Sequence, residues 1–392
     1  MAHAPYRVLH VFARMDKGGA ESRIMDLYRY MDRSHIQFDF LSLEGGKHYF
    51  DDEIAQLGGR RFVVRHPREN LIGHMQDMYH IMKTKGPFQA VHAHTAHHEG
   101  LVALAARIVG IPHRVCHART TGTSQSASPY KRAGLLLGRL LIASCATRLL
   151  AISQAAGKYL FGEHAMKQGK VELVPDAIDL SAYEQVNQLD PLVLRQQAGV
   201  PPCGILLGHI GSFRTVKNQT FLVRLLGNLR RTGIDARLVL IGSGGQRLEI
   251  ERQVIEAGLA AYVHFLGVRD DVPRLVRMLD VFIMPSLYEG LGGAAIEAQA
   301  AGTACVLSSA LPVEVDMGLG TVRFVDLNDP MPFWMQAIFK QANAIRPSSD
   351  EIRAAFFRRG FMLEHAAERI QRAYGLAGGS FAINDTGRMY EG

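Results

Sequence analysis

The chain has 392 residues, of which 47% are hydrophobic and 21% charged. That is too long for one ordinary core and too apolar for a disordered chain, so two folded domains are expected. The 44 Lys and Arg against 37 Asp and Glu leave a net charge of +7, a basic excess that suits a nucleotide or a phospholipid surface; with no run of six cations and no aromatic–basic interleaving, it does not point to nucleic acid.

Cys116, Cys145, Cys203 and Cys305 are scattered without CxxC spacing. That argues against structural zinc or a disulfide framework and for a reducing compartment. The first twenty residues lack the apolar core of a secretory signal, so the expected location is the cytoplasm. The most apolar stretch, AGLLLGRLLIASCATRLLAIS from Ala133 to Ser153, is broken by Arg139 and Arg148. It reads as a buried or interfacial helix followed by a strand, not a membrane span.

Short β-rich runs alternate with helical ones, the pattern of an α/β protein with parallel sheets. In chain order the strands are expected at 6–12, 38–43, 60–64, 90–94, 113–118 and 149–153, with 170–179 closing the first half. KGGAESRIMDLYRYM and EGLVALAARIVG are helical segments between them. A second series runs through 204–213, 236–244, 263–267, 281–285, 304–309 and 322–325. Both halves open alike, with a strand, a glycine loop and a long helix. The prolines at 191, 201 and 202 suggest a linker. The expected domains are 1–188 and 189–375, the last helix being free to pack back on the first domain, with a loose tail at 376–392. In open α/β sheets ligands bind at the carboxyl ends of strands, so each motif can be placed by the strand it follows.

DKGGAES (Asp16–Ser22) follows the first strand and opens a helix. Gly18 and Gly19 let backbone N–H groups approach an anion at a helix N-terminus, or simply form a tight turn. The dinucleotide fingerprint GxGxxG is absent. GSFRTVKNQT (Gly211–Thr220) puts Arg214 and Lys217 in a loop at a strand end, where two cations suit a diphosphate or a solvated surface. IGSGG, with Gly244, is a further strand–glycine–helix junction. FLGVRDDV, with Val268 and Arg269, either meets a nucleobase through its backbone or caps the next helix. In HAHTAHHEG, the histidines at 92, 94, 97 and 98 raise a metal site. Their split between strand and loop, without a nearby Cys or Asp, favours a polar cleft edge, and no metal is expected.

LYEGLGGAAIEAQAAG carries Glu289 in a loop and Glu297 in the first turn or so of a helix stopped by Gly302. The amides between them make an anion site, and each carboxylate suits a pair of hydroxyls.

The E-x7-E spacing in this setting, joined by MDKGGAE, VPDAID and VKN, resembles the retaining glycosyltransferases of family 4 over about residues 6–375. The resemblance is greatest to the bacterial exopolysaccharide and glycoconjugate branch. It implies a GT-B architecture, two Rossmann-like doubly wound α/β domains facing across a cleft. It implies a hexosyl transfer from a nucleotide diphosphate sugar, with UDP expected, to a glycan or lipid-linked acceptor, with no cofactor and no metal. Carried over, Glu289 binds the donor sugar, Glu297 the ribose, and the amides of Leu291, Gly292 and Gly293 the phosphate or sugar. Lys217 binds the diphosphate, Gly18 and Gly19 approach phosphate or acceptor, and His117 lies near the donor sugar. Gly244, Val268 and Arg269 complete the donor set, and the catalytic set is His117, Arg214, Lys217 and Glu289.

Two positions depart from the family pattern. Ser212 stands where Arg is usual, so Arg214 is expected to supply that cation. Asp176 stands where Asn is usual, near the domain exit, and a small effect is expected there. The family is thought to react on one face of the sugar, so neither glutamate needs to be acid or base. The competing readings are a nucleotide-sugar-binding protein without turnover, and another GT-B enzyme such as an epimerase or phosphorylase. The segment 120–132 is a candidate acceptor or membrane-facing loop, which leaves peripheral contact with the inner membrane face open.

Overall fold

The computed structural model describes residues 4–122 and 129–376. Part of the 120–132 loop and the tail beyond 376 lie outside the described residues. The chain divides into two compact units, the first made of residues 1–178 and 360–392, the second of 179–359.

The first unit runs β1 (Tyr6–Phe12), α1 (Gly19–Tyr30), β2 (Ile36–Ser42), α2 (Asp51–Gln56), β3 (Arg61–Val63), α3 (Leu71–Thr84), β4 (Ala90–Ala93), α4 (Glu99–Val109), β5 (His113–Ala118), α5 (Pro129–Cys145), β6 (Arg148–Ala151), α6 (Gln154–Phe161), α7 (Glu163–Lys167) and β7 (Val171–Leu173). Its strands form one parallel sheet in the order β3-β2-β1-β4-β5-β6-β7. The second unit holds α8 (Ser181–Asn187), α9 (Pro191–Gln197), β8 (Ile205–Ile210), α10 (Gln219–Arg231), β9 (Ala236–Ile241), α11 (Arg247–Glu256), β10 (Val263–Gly267), α12 (Val272–Arg277), β11 (Val281–Met284), α13 (Gly293–Ala300), β12 (Ala304–Ser308), β13 (Val322–Val325), α14 (Met331–Ala342) and α15 (Ser349–Arg359). Its parallel sheet has the order β10-β9-β8-β11-β12-β13. The chain then returns to the first unit as α16 (Leu363–Ala373).

Both sheets are covered on both faces, which is why β2, β4, β11 and β12 are buried along their whole length and read as continuous rather than alternating apolar runs. In each sheet the strand order reverses once, between β1 and β4 and between β8 and β11. Such switch points open a crevice at the carboxyl ends of the strands.

The unit boundary falls at 178/179, ahead of the expected 188/189. The prolines were misleading because Pro191 opens α9 instead of marking a linker; Asp190 caps that helix by accepting from the Leu192 N–H, and proline suits a first helical turn. The segment before it is tied into the second unit, where Asn187 donates to the Ala300 carbonyl and its own carbonyl accepts from Arg277. The last helix belongs to the first unit's core, with Leu363, Ala366 and Ile370 in one apolar cluster with Leu27 and Tyr28 of α1.

Candidate functional site

In the second unit the loops after β8 and β11 are clamped together. The Leu287 N–H donates to the Val216 carbonyl at 2.8 Å, and Asn218 donates through Nδ2 to the Pro285 carbonyl at 3.1 Å. Asn218 sits in the left-handed region, φ 55°, which turns the chain from a 3-10 turn (Thr215–Lys217) into α10. The clamp brings Lys217 Nζ to 2.7 Å from Glu289 Oε1, with only 18% and 13% of the two side chains exposed. Two residues 72 apart in sequence thus make one charged pair at the switch point.

Beyond Glu289 the chain enters α13 through Gly292, whose φ of 103° favours glycine. The N-cap is Gly292, which has no side chain to cap the helix, and a helix N-terminus of this kind suits an anion. Leu291 is buried, packing the loop down. Gly293 opens the helix with free space around it. Glu297 is the fifth residue of α13 and so begins its second turn, not its first. Gln299 fixes the opposite face of α13 by donating to the Val315 carbonyl and accepting from the Met317 N–H.

The other nominated positions in this unit differ in kind. Ser212 and Arg214 are both exposed, and it is Lys217, not Arg214, that holds Glu289. Gly244 has a local reason to be glycine: a Cβ there would lie 2.6 Å from the backbone of Phe213. Val268 is 53% exposed. Arg269 is chelated by Asp271 at 2.8 Å, which offsets its charge locally.

In the first unit Gly18 caps α1 and Gly19 begins it. A Cβ at Gly18 would collide with the Glu21 carboxylate, so glycine there makes room for a side chain folded back over the helix N-terminus. Burial raises the Glu21 pKa, opposed by a backbone hydrogen bond and by the charges of Arg119 and Arg14.

The histidines assemble differently from the cleft edge expected from the sequence. His10 on β1 and His92 on β4 are register partners, and with His94 they bring ring nitrogens within 4.8 Å of one another. His98 is drawn away to His74 and Thr95. The network has fixed ends. Arg119 can only donate, and its Nε meets His94 Nδ1 at 2.9 Å; the Val174 carbonyl can only accept, and it meets His117 Nε2 at 3.2 Å. Between them lie His94 Nε2 to His10 Nδ1 (3.1 Å), His10 Nε2 to Tyr374 Oη (3.4 Å), Tyr374 Oη to His92 Nδ1 (2.8 Å) and His92 Nε2 to His117 Nδ1 (3.2 Å). Both ends dictate the same direction, with every histidine neutral and protonated on Nε2. Burial, foremost, pushes His10 down to about 3 and holds His92, His94 and His117 well below the usual histidine range.

His117, nominated from the sequence, is therefore 1% exposed with both ring nitrogens engaged inside the unit. The group that reaches solvent from this strand end is Arg119, paired with Asp176. Asp176 is thus no idle exit residue: it compensates a nearly buried guanidinium. His10, Arg119 and Tyr374 were missed from the sequence; the available signal was a histidine near the carboxyl end of each of three strands that prove to be neighbours.

With this geometry in hand, the comparisons with known proteins are specific. The chain matches the family model for Glycosyltransferase Family 4 over residues 17–182 and that for Glycosyl transferases group 1 over residues 193–316. It is 38% identical over 372 residues to EpsF of Bacillus subtilis (strain 168), a glycosyltransferase by assignment, covering 95% of this chain and 97% of that one. The chain belongs to glycosyltransferase family 4. This family 4 glycosyltransferase is also 23% identical to the Escherichia coli UDP-Gal:alpha-D-GlcNAc-diphosphoundecaprenol alpha-1,3-galactosyltransferase, over 78% of this chain and 80% of the other. Its fold is the GT-B fold: Anabaena Alr3699/HepE, solved with UDP-glucose, superposes with a TM-score of 0.75 at 20% identity, covering 94% of this chain and 99% of that one. No described helix of the glycosyltransferase is long and apolar enough to cross a membrane.

Proposed function

We propose that this glycosyltransferase moves a hexosyl unit from a UDP-sugar to a glycan or lipid-linked acceptor in polysaccharide assembly, with retention of configuration and without a metal. The observation that carries the reading is the Lys217–Glu289 pair just ahead of the N-terminus of α13, whose N-cap is Gly292. A diphosphate takes the cation and the helix amides, and Glu289, released from Lys217, turns to the sugar hydroxyls. Glu297, in the second turn of α13, takes the ribose. Arg214, exposed on the same loop as Lys217, adds charge to the phosphate end. Preorganised donors of this kind stabilise the leaving diphosphate in place of a metal ion. The phosphate oxygen itself then accepts the acceptor's proton on the same face of the sugar. Similarity to the Escherichia coli galactosyltransferase named for UDP-Gal, and the UDP-glucose held by the HepE structure, support the donor class.

A screen of the purified protein against UDP-, GDP- and ADP-sugars tests this, reading thermal shift and slow hydrolysis with and without EDTA. Stabilisation by UDP-sugars and EDTA-resistant turnover are expected; a GDP or ADP preference, or loss of turnover in EDTA, would overturn the donor or the metal-free chemistry. Glu297→Ala is expected to weaken UDP binding by about 1–3 kcal/mol, the scale of a lost charged hydrogen-bond partner. Unchanged affinity by calorimetry would remove the ribose role.

The first unit also offers a surface for a lipid-bearing acceptor at the inner membrane face. Leu136, Leu137 and Leu140 on α5 are 59%, 56% and 68% exposed, and the chain is net positive. Co-sedimentation with vesicles containing anionic lipid is expected to fall several-fold in a Leu136→Ser/Leu140→Ser variant. Equal sedimentation of variant and parent would refute the contact.

A further inference from the structure

Arg119, directly after β5, and Asp176, in the segment after β7, pair at the carboxyl edge of the first unit's sheet. Their side chains are 8% and 16% exposed, nearly buried yet each touching solvent. Arg119 spends Nε on His94 and Nη1 on Asp176 Oδ1. Among the described residues nothing takes Nη2 of Arg119 or Oδ2 of Asp176. The pair therefore leaves a donor nitrogen, Nη2, and an acceptor oxygen, Oδ2, unspent on the two halves of one ion pair. A phosphate offers only acceptors and would meet the carboxylate; an ammonium offers only donors and would meet the guanidinium. An alcohol offers one of each, and a vicinal diol offers them at adjacent carbons.

We propose that the Arg119–Asp176 pair is a sugar-hydroxyl-binding element of the first unit. The one-way imidazole chain behind it supports this. With His94 locked as an acceptor at Nδ1, the guanidinium plane is fixed, and little ordering remains to be done when a diol arrives. The pair also accounts for Asp at 176: an amide there would leave a nearly buried guanidinium uncompensated. The assignment rests on the transferase reading for the role of the sugar, which can belong to the acceptor or to the donor.

Asp176→Asn keeps the size and an oxygen for Arg119, and removes the charged acceptor. Three quantities are measured: the KM of a methyl glycoside acceptor in transfer, the KM of UDP-sugar hydrolysis without acceptor, and saturation transfer from the free protein to methyl α-D-glucopyranoside. The expected result is a rise of about tenfold or more in the acceptor KM, with UDP affinity unchanged. The same rise in the hydrolysis KM instead would put the diol on the donor and still uphold the pair as its reader. If both KM values and the saturation transfer match the parent, the proposal is overturned. Should the parent turn over no sugar nucleotide, the proposed function fails, and saturation transfer alone decides: signal lost in the variant upholds the element, signal retained refutes it. Histidine-selective ¹⁵N spectra guard against collapse, since His94 should stay protonated on Nε2 in the variant. If it does not, Arg119→Lys, which keeps the charge and loses the fork, must give the same losses for the proposal to stand.

Discussion

Replacing Lys217 by methionine is expected to lower kcat/KM for the donor by roughly 100- to 1000-fold, the range for removing one preorganised charge donor from a reacting centre. UDP affinity should fall with it. Glu289→Gln should behave differently although the two side chains touch. It should cut turnover by removing the sugar contact proposed for Glu289, but it also releases Lys217 from a 2.7 Å ion pair. The freed ammonium can then meet the diphosphate without first breaking that pair. UDP alone should therefore bind Glu289→Gln as tightly as the parent or more tightly. Groups acting as one unit are not additive, so the double variant should be little worse than Lys217→Met. Calorimetry with UDP and steady-state kinetics separate the cases. Equal losses of UDP affinity in both single variants would refute the exchange of partners.

The second large effect is on stability in acid. His10, His92 and His117 are 0%, 0% and 1% exposed. Burial is the first cause of each depression, aided by neighbouring imidazoles and the Arg119 charge; for His10 the result is about 3. Folded, these rings take no proton in mild acid; unfolded, each takes one near pH 6.5. The unfolded state thus binds more protons below that pH, and stability falls as pH drops from about 6.5 toward the folded values. Each ring contributes about 1.4 kcal/mol per pH unit once its unfolded form is charged. From pH 7 to 5.5 the three together cost on the order of 4 kcal/mol, a large share of the roughly 5–15 kcal/mol that holds a domain folded. The same chain makes partial protonation costly, because one added proton sets two donors against each other. Urea unfolding at pH 7.0 and pH 5.5 checks this. A flat midpoint would show the rings protonating inside the fold.

Much of the architecture was legible in the sequence because its signals are local. The strands expected at 6–12, 113–118, 263–267 and 322–325 are the observed β1, β5, β10 and β13. Each is a short β-rich run closed by turn or loop residues, and that pattern depends on neighbours a few positions away. The unit boundary was misread because proline is ambiguous by itself: it ends one element or begins another, and only the Asp190 cap shows which.

What the sequence determined alone was the alternation of strands and helices, the two parallel sheets it implies, and the family resemblance carried by the motifs around Lys217 and Glu289. What only the tertiary structure decided was which charges and imidazoles meet. Lys217 reaches Glu289 because two loops distant in the chain are clamped across a switch point. His10, His92 and His117 line up because β1, β4 and β5 are neighbours in the sheet, and Tyr374 completes the line because α16 returns to the first unit. Strand order and helix return are set by the packing of whole layers, and no local period records them. Arg119 carries no motif in sequence, and the VPDAID motif that holds Asp176 does not record its partner, yet topology makes them a pair.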